Sequence, residues 1–343
     1  MINYASIKKK YTAYKEKELF GRWITFSDIS SLLKIKNASQ IGVSENKLPI
    51  YGVKFGSGKK RILIWSQMHG NESTGTKALF DLFNALKDLK SSITTTILQE
   101  CTLYCIPMLN PDGALAYTRE NAKNIDLNRD AVAKKAIESK LLRKVLEDFH
   151  PQFCFNMHDQ RTIFGVKGTK NPASISFLAP SEEETRKITK GRKQTMSVIV
   201  EMNHLLQKII PNHVGRYTDE FYPTATGDNF QKLGYNTILI EAGHYKQDYE
   251  REEVRKFNFF ALLQGLYFIA TAKNNNNFKP YFDIPNNRIN FFDIIYRDKK
   301  LNNKVAYQYK SSIVNNKFTT ILEEKKEKKL SSFLAHKYIL DKN

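Results

Sequence analysis

The chain has 343 residues, 41% hydrophobic and 26% charged, enough apolar material for one large core or two unequal ones and unlike a disordered or fibrous chain. Its net charge of +19 stands out, but the lysines are scattered, the densest cluster (EEKKEKK, 323–329) mixes both signs, and there is no nucleic-acid-binding motif; a solvated basic surface is expected, with nucleic-acid binding a distant alternative. The first thirty residues hold no continuous apolar run, and the most apolar stretch, 259–272, is broken by Gln264 and Gly265 and is too short to span a bilayer, so a cytoplasmic protein with no membrane partner is expected.

In chain order, residues 61–66 (RILIWS) read as a strand. Ala78, Leu79, Leu82, Phe83 and Leu86 then recur at helical spacing behind a capping-type Ser73/Thr74. Residues 102–109 (TLYCIPML) read as the next strand, and Ile137, Leu141, Leu142, Val145, Leu146 and Phe149 as the next helix. Strands at 153–157 (FCFNM) and 237–240 (TILI) alternate with helices expected at 182–210 and 252–273. Such alternation predicts an α/β fold with a mixed, mostly parallel central sheet flanked by helices. The run NNNN (274–277) reads as a linker, dividing a catalytic-sized domain (1–275) from a small, mainly β appendage (278–343). Cys101 and Cys105 share a strand, about 13 Å apart, too far for a disulfide, and with Cys154 are expected as free thiols.

Polar groups gather where these apolar runs end. MHGNESTG places His69 and Glu72 just after RILIWS; the pair can turn toward one ion, although His-x-x-Glu alone also fits a polar turn. NPDGALAYTRENAKNIDLNRD follows TLYCIPML, a loop dense enough in specific polar residues to contact substrate. His158 ends FCFNM. Glu241 ends TILI, where a carboxylate needs a partner or a metal. Four strand ends thus deliver polar groups to the edge where ligands of open α/β sheets bind.

This order of motifs resembles the zinc carboxypeptidase family over roughly residues 49–267: His69-Gly-Asn-Glu72, Asn110-Pro-Asp-Gly113, Arg119, Asp126-Leu-Asn-Arg129, His158 and Glu241. The resemblance implies one zinc ion held by His69, Glu72 and His158 with a water in the fourth position, and Glu241 as general base. It also implies Arg119 at the oxyanion, and Asn128 and Arg129 on the terminal carboxylate of the substrate. YPTATGDNF is similar to the family's segment with a mobile capping tyrosine, which makes Tyr222 the candidate and Tyr217 its competitor.

The HGNE form, with Asn71 before Glu72, is also similar to N-acyl amino acid deacylases of the aspartoacylase and succinylglutamate desuccinylase group, which makes an acyl amino acid the alternative substrate to a peptide. The turn NPDG and the segment Tyr-Pro favour the peptidase. A catalytically inactive binding protein is a further alternative, but no ligand or base is lost. Arg161 adds a cation beside the site, suited to a second carboxylate or to a salt bridge with Asp159 or Asp126. His244 is expected outside the ligand set.

Overall fold

The computed structural model describes residues 2–35, 37–273, 276–298, 303–327 and 330–340; Asn274 and Asn275 of the expected linker lie outside the described residues. Helices α1 (Tyr4–Tyr14) and α2 (Phe26–Ser30) precede the pair β1 (Ala38–Val43) and β2 (Pro49–Phe55). There follow β3 (Lys60–Ser66), α3 (Thr74–Leu86), α4 (Ser92–Glu100), β4 (Cys101–Ile106), α5 (Pro111–Ala116), a 3-10 turn (Leu127–Arg129), α6 (Ile137–Phe149) and β5 (Phe153–Asp159). The next stretch holds β6 (Phe164–Val166), β7 (Ile175–Leu178), α7 (Lys190–Gln207), β8 (Val214–Arg216), α8 (Thr226–Lys232), β9 (Asn236–Ala242) and α9 (Glu252–Thr271). The chain closes with β10 (Asn287–Ile289), β11 (Phe291–Asp298), β12 (Asn303–Val314), β13 (Lys317–Lys325) and β14 (Leu334–Leu340).

Eight strands form a central sheet in the order β1-β2-β4-β3-β5-β9-β7-β8. Its middle, β4-β3-β5-β9, is parallel, while β1 and β2 on one side and β7 against β9 on the other run antiparallel. The fold is therefore the mixed α/β class expected. RILIWS and FCFNM read as unbroken apolar runs because the sheet is buried on both faces. Ile62 and Ile64 enter a core with α3, α4, α7 and α9, and Leu63 and Trp65 a second core with α6 and α8. The strand expected over 102–109 stops at Ile106, since Pro107 has no N–H to continue the ladder. The helix expected from 182 starts only at Lys190; EEETRKIT before it offers one apolar residue to bury, and Thr189 caps the helix with its hydroxyl accepting from the Arg192 N–H at 3.1 Å. The three cysteines are buried and free.

The C-terminal strands form a four-stranded sheet, β13-β12-β11-β14, and β10 pairs with β6. This sheet lies against the rest of the molecule through Phe318 on Tyr117, Tyr309 on Tyr249 and His336 on His244. Elsewhere, fully buried Arg255 on α9 grips Asp81 on α3 with two charged hydrogen bonds of 2.8 and 2.6 Å; Tyr11 on α1 donates to the same carboxylate at 2.9 Å. That cluster locks three helices together on one face of the sheet.

Candidate active site

Strands β3, β5 and β9 end side by side. Ser66 is in register with Met157 and His158 with Glu241, so one sheet edge carries His158 and Glu241 on adjacent strands, with His69 three residues past Ser66. The turn bearing His69 and Glu72 is seated by the NPDG segment. Gly70 lies backbone to backbone on Gly113, where a Cβ would collide, and Asn110 caps α5 with its Oδ1 accepting from Gly113 N–H at 2.9 Å while its Nδ2 donates to Met68 O at 3.2 Å. NPDG is thus a support for the site, and the groups facing the pocket come from the segment that follows it. Just beyond β5 and β9, buried Arg251 donates to Gln160 O at 2.6 Å and to Ala242 O, tying the two strand ends together.

His69 Nδ1 and His158 Nδ1 face each other at 3.2 Å, and each lies 2.9 Å from an oxygen of Glu72, Oε1 for His69 and Oε2 for His158. The Nε2 of His69 lies 3.1 Å from Asp126 Oδ1, which fixes the ring and leaves Nδ1 to the centre. Arg119 is anchored by its Nε on Asp126 Oδ2 at 2.9 Å and reaches in with Nη1, 3.2 Å from His69 Nδ1. Burial disfavours the His69 cation, yet the charge of Glu72 and the bonds to Asp126 and Glu72 push its pKa up to about 9. Burial lowers that of His158. Burial, with the charges of Glu72 and Asp159, drives Glu241 well above the usual carboxyl range.

These groups line a cavity of about 450 Å³, together with Asn128, Arg129, Arg161, Phe164, Leu178, Tyr217, Tyr222, Asp228 and Leu239. Asn128 is held by its Oδ1 accepting from Thr226 N–H at 3.1 Å, and Arg129 donates to Asn128 O at 2.7 Å and packs its guanidinium on the Tyr222 ring at 5.9 Å. Both candidate tyrosines border the cavity, in different settings. Tyr222 is 51% exposed with its hydroxyl on Glu220, whereas Tyr217 is half-buried, packs edge-on against Phe164, and has its phenol pKa raised by burial and by the charges of Glu241 and Glu72. His244 is buried against His336, outside the donor cluster. The sequence offers Asp126 as part of a motif and, like Asp159, as a salt-bridge partner for Arg161. Here Asp126 orients both His69 and Arg119, and Asp159 accepts from Thr74 Oγ1 at 2.7 Å and takes no part with Arg161.

A family model described as zinc carboxypeptidase matches residues 31–238. The chain belongs to the zinc carboxypeptidase family. The carboxypeptidase SOL1 of Arabidopsis thaliana is 26% identical over 173 residues, covering 45% of this chain and 35% of the relative. Carboxypeptidase 2 of Trichophyton rubrum is 26% identical over 102 residues, 29% of this chain and 19% of the relative, so the matched part spans about a third or less of these curated relatives. Among solved structures, thrombin activatable fibrinolysis inhibitor is similar in fold at 15% identity, a TM-score of 0.58 and coverage of 77% of this chain and 80% of that one. A carboxypeptidase A from Helicoverpa armigera is similar at 13% identity and a TM-score of 0.58, with 78% and 81% covered.

The zinc carboxypeptidase family is zinc-dependent, and His69, Glu72 and His158 form a cluster that could hold a metal ion, with one donor atom from each within 4.8 Å of the others. The donors fit zinc. Ligands about 2.0–2.1 Å from a tetrahedral zinc stand about 3.3 Å from one another, close to the 3.2 Å between the two imidazole nitrogens, and two His with one carboxylate leave a fourth position open. The guanidinium of Arg119 leaning into the cluster marks the same demand for positive charge. Among the described residues, no helix is long and apolar enough to cross a membrane.

Proposed function

We propose that this protein is a zinc metallocarboxypeptidase that hydrolyses the amide bond next to a free C-terminal carboxylate. The observation that carries this reading is the placement of Arg129 and Asn128 in the same cavity as His69, Glu72, His158 and Glu241. It combines a carboxylate reader, a metal-ligand set and a base. His69, Glu72 and His158 would hold one zinc ion, whose chemistry there would be to polarise the scissile carbonyl and to lower the pKa of a water so that it can be deprotonated at neutral pH.

The chain's own residues supply the rest. Arg129, a planar fork with its ring contact to Tyr222, takes the terminal carboxylate with Asn128 beside it. Glu241, in register with His158, takes the proton of the attacking water and later passes it to the leaving nitrogen. Arg119, held by Asp126, stabilises the oxyanion that develops on the carbonyl oxygen. Leu178 and Leu239 give the cavity an apolar wall for the terminal side chain.

Zinc-loaded protein is expected to release the terminal residue from short peptides, and amidating that terminus should cut kcat/KM by at least about tenfold, because Arg129 loses a charged partner worth about 1.5–3 kcal/mol. Equal rates on free and amidated peptides would reject the reading. N-acyl amino acids tested in parallel separate peptidase from deacylase, since both read a free carboxylate and only the acyl side differs.

A further inference from the structure

Three arginines line the cavity. Arg119 is tied to Asp126, and Arg129 to Asn128 and Tyr222. Arg161 makes no hydrogen bond or ion pair among the described residues. The two carboxylates that the sequence offered as its partners are engaged elsewhere: Asp126 with His69 and Arg119, and Asp159 with Thr74 and, at 3.9 Å, Arg251. An exposed arginine on an ordinary surface needs no explanation, but the backbone that carries this one is anchored on both sides. Gln160 N–H donates to Ala242 O at 2.9 Å, Gln160 Oε1 accepts from Asn287 at 3.1 Å, and Gln160 O accepts from Arg251 at 2.6 Å. Thr162 Oγ1 accepts from Gln308 at 2.6 Å and Thr162 O from His336 at 2.8 Å, while Ile163 O accepts from the N–H groups of Asn290 and Phe291 at 3.1 Å each. Apart from Ala242 and Arg251, every one of these partners lies in residues 287–336. The C-terminal strands therefore hold the 160–163 segment against the cavity, with an uncompensated cation on it.

The lining arginine proposed for the terminal carboxylate belongs to a separate segment of the chain. Arg129 lies on a wall with Tyr222, Glu220 and Asp228, next to α8; Asp228 accepts from Tyr222 N–H, and burial pushes its pKa up to about 6. Arg161 lies past the end of β5, three residues beyond His158, and lines the cavity with Phe164 and Tyr217, which pack on each other. His158 and Glu241 stand at the ends of β5 and β9. With the terminal carboxylate of a peptide on Arg129 and Arg119 tied to Asp126 beside the metal-ligand cluster, Arg161 is the lining arginine left for the acyl side. Resting on the carboxypeptidase reading above, we infer that Arg161 binds an anionic group on the acyl side of the scissile bond, the side-chain carboxylate of the penultimate residue, so that acidic residues are preferred there. The net charge of +19 acts in the same direction, drawing anionic peptides toward the molecule.

The test is a matched pair, N-acetyl-Glu-Leu and N-acetyl-Gln-Leu, of nearly equal size and differing in charge. Zinc-loaded protein should favour the Glu peptide by about 10- to 100-fold in kcat/KM, mainly through KM, and the preference should shrink as salt is raised. In Arg161→Gln the ratio should fall to near one, and Arg161→Lys should restore part of it. A wild-type ratio near one, or a preference that persists in Arg161→Gln, overturns the inference. Calorimetric binding of the same two peptides to zinc-loaded Glu241→Gln separates this from the fate of the carboxypeptidase reading. If the native protein hydrolyses neither peptide, that reading fails, and the Glu-to-Gln affinity ratio still decides on Arg161: an Arg161-dependent excess supports it and equal affinities overturn it.

Discussion

Among the buried charged clusters of the described residues, two differ in whether they are complete. In the first, Arg255 and Asp81 meet with zero exposure, and the guanidinium also donates to Leu19 O and Glu16 O, so its charge and N–H groups are matched within the chain. In the second, Glu72 and Glu241 approach His69 and His158 with one arginine, Arg119, at the edge; the Glu241 side-chain carboxylate accepts no hydrogen bond among the described residues and the His158 Nε2 is buried without one. Burying charge is costly unless it is paired. A matched cluster therefore acts as a fastener between helices, whereas an unmatched one keeps donor atoms that could hold a metal ion.

The largest effect that would separate the two is expected at Glu241. Glu241→Gln removes the base but no metal donor, so turnover should fall by about 10²–10⁴ while zinc content stays near one per chain and the urea midpoint barely moves. Loss of zinc in that variant would make Glu241 a ligand. Asp81→Ala should do the reverse, leaving buried Arg255 with Glu252, at 3.2 Å, as its remaining charged partner, at a cost of about 3 kcal/mol of unfolding free energy, read by urea denaturation, with kcat little changed in the fraction that remains folded. A large fall in kcat without loss of stability would mean that the two clusters are coupled through α3 and α9 and that the contrast is false.

A smaller effect is expected at Asp126, which belongs to the unmatched cluster without being a metal donor. Its carboxylate orients His69 through Nε2 and Arg119 through Nε. Asp126→Asn keeps the shape and removes the charge, so zinc affinity should fall by about 10- to 100-fold in competition with a chromophoric chelator. Unchanged affinity would show that the packing around His69 alone fixes its ring.

The same contrast explains what could be read in advance. His69, Glu72, His158 and Glu241 were legible because each follows a run too apolar to tolerate a carboxylate or imidazole without a purpose, and parallel pairing brings such run ends together. The matched cluster was not legible. Asp81 and Arg255 are 174 residues apart, and each looks like an ordinary polar interruption of an amphipathic helix. The same separation hid the contacts from Asn287, Gln308 and His336 to the 160–163 segment. Strands β7 and β8, four and three residues long, are too short for any periodicity to register.

The smallest effect is expected at the rim of the cavity, where the sequence left two tyrosines in competition. Tyr222 packs on Arg129, and its hydroxyl meets only Glu220, itself exposed, at 3.2 Å. Such a bond is worth well under about 1 kcal/mol against solvent, so Tyr222→Phe should change kcat/KM by no more than a few fold, in KM. Tyr222→Ala should cost more, because Arg129 then loses the ring that orients it toward the carboxylate, a cation–π contact of about 0.5–1 kcal/mol at an exposed position. The ring, more than the hydroxyl, is what this geometry uses. A fall of a hundredfold in kcat for Tyr222→Phe would mean that the hydroxyl leaves Glu220 and reaches the reacting bond during turnover, which would move the rim into the unmatched cluster and leave Tyr217, fixed beside Phe164, as part of the wall.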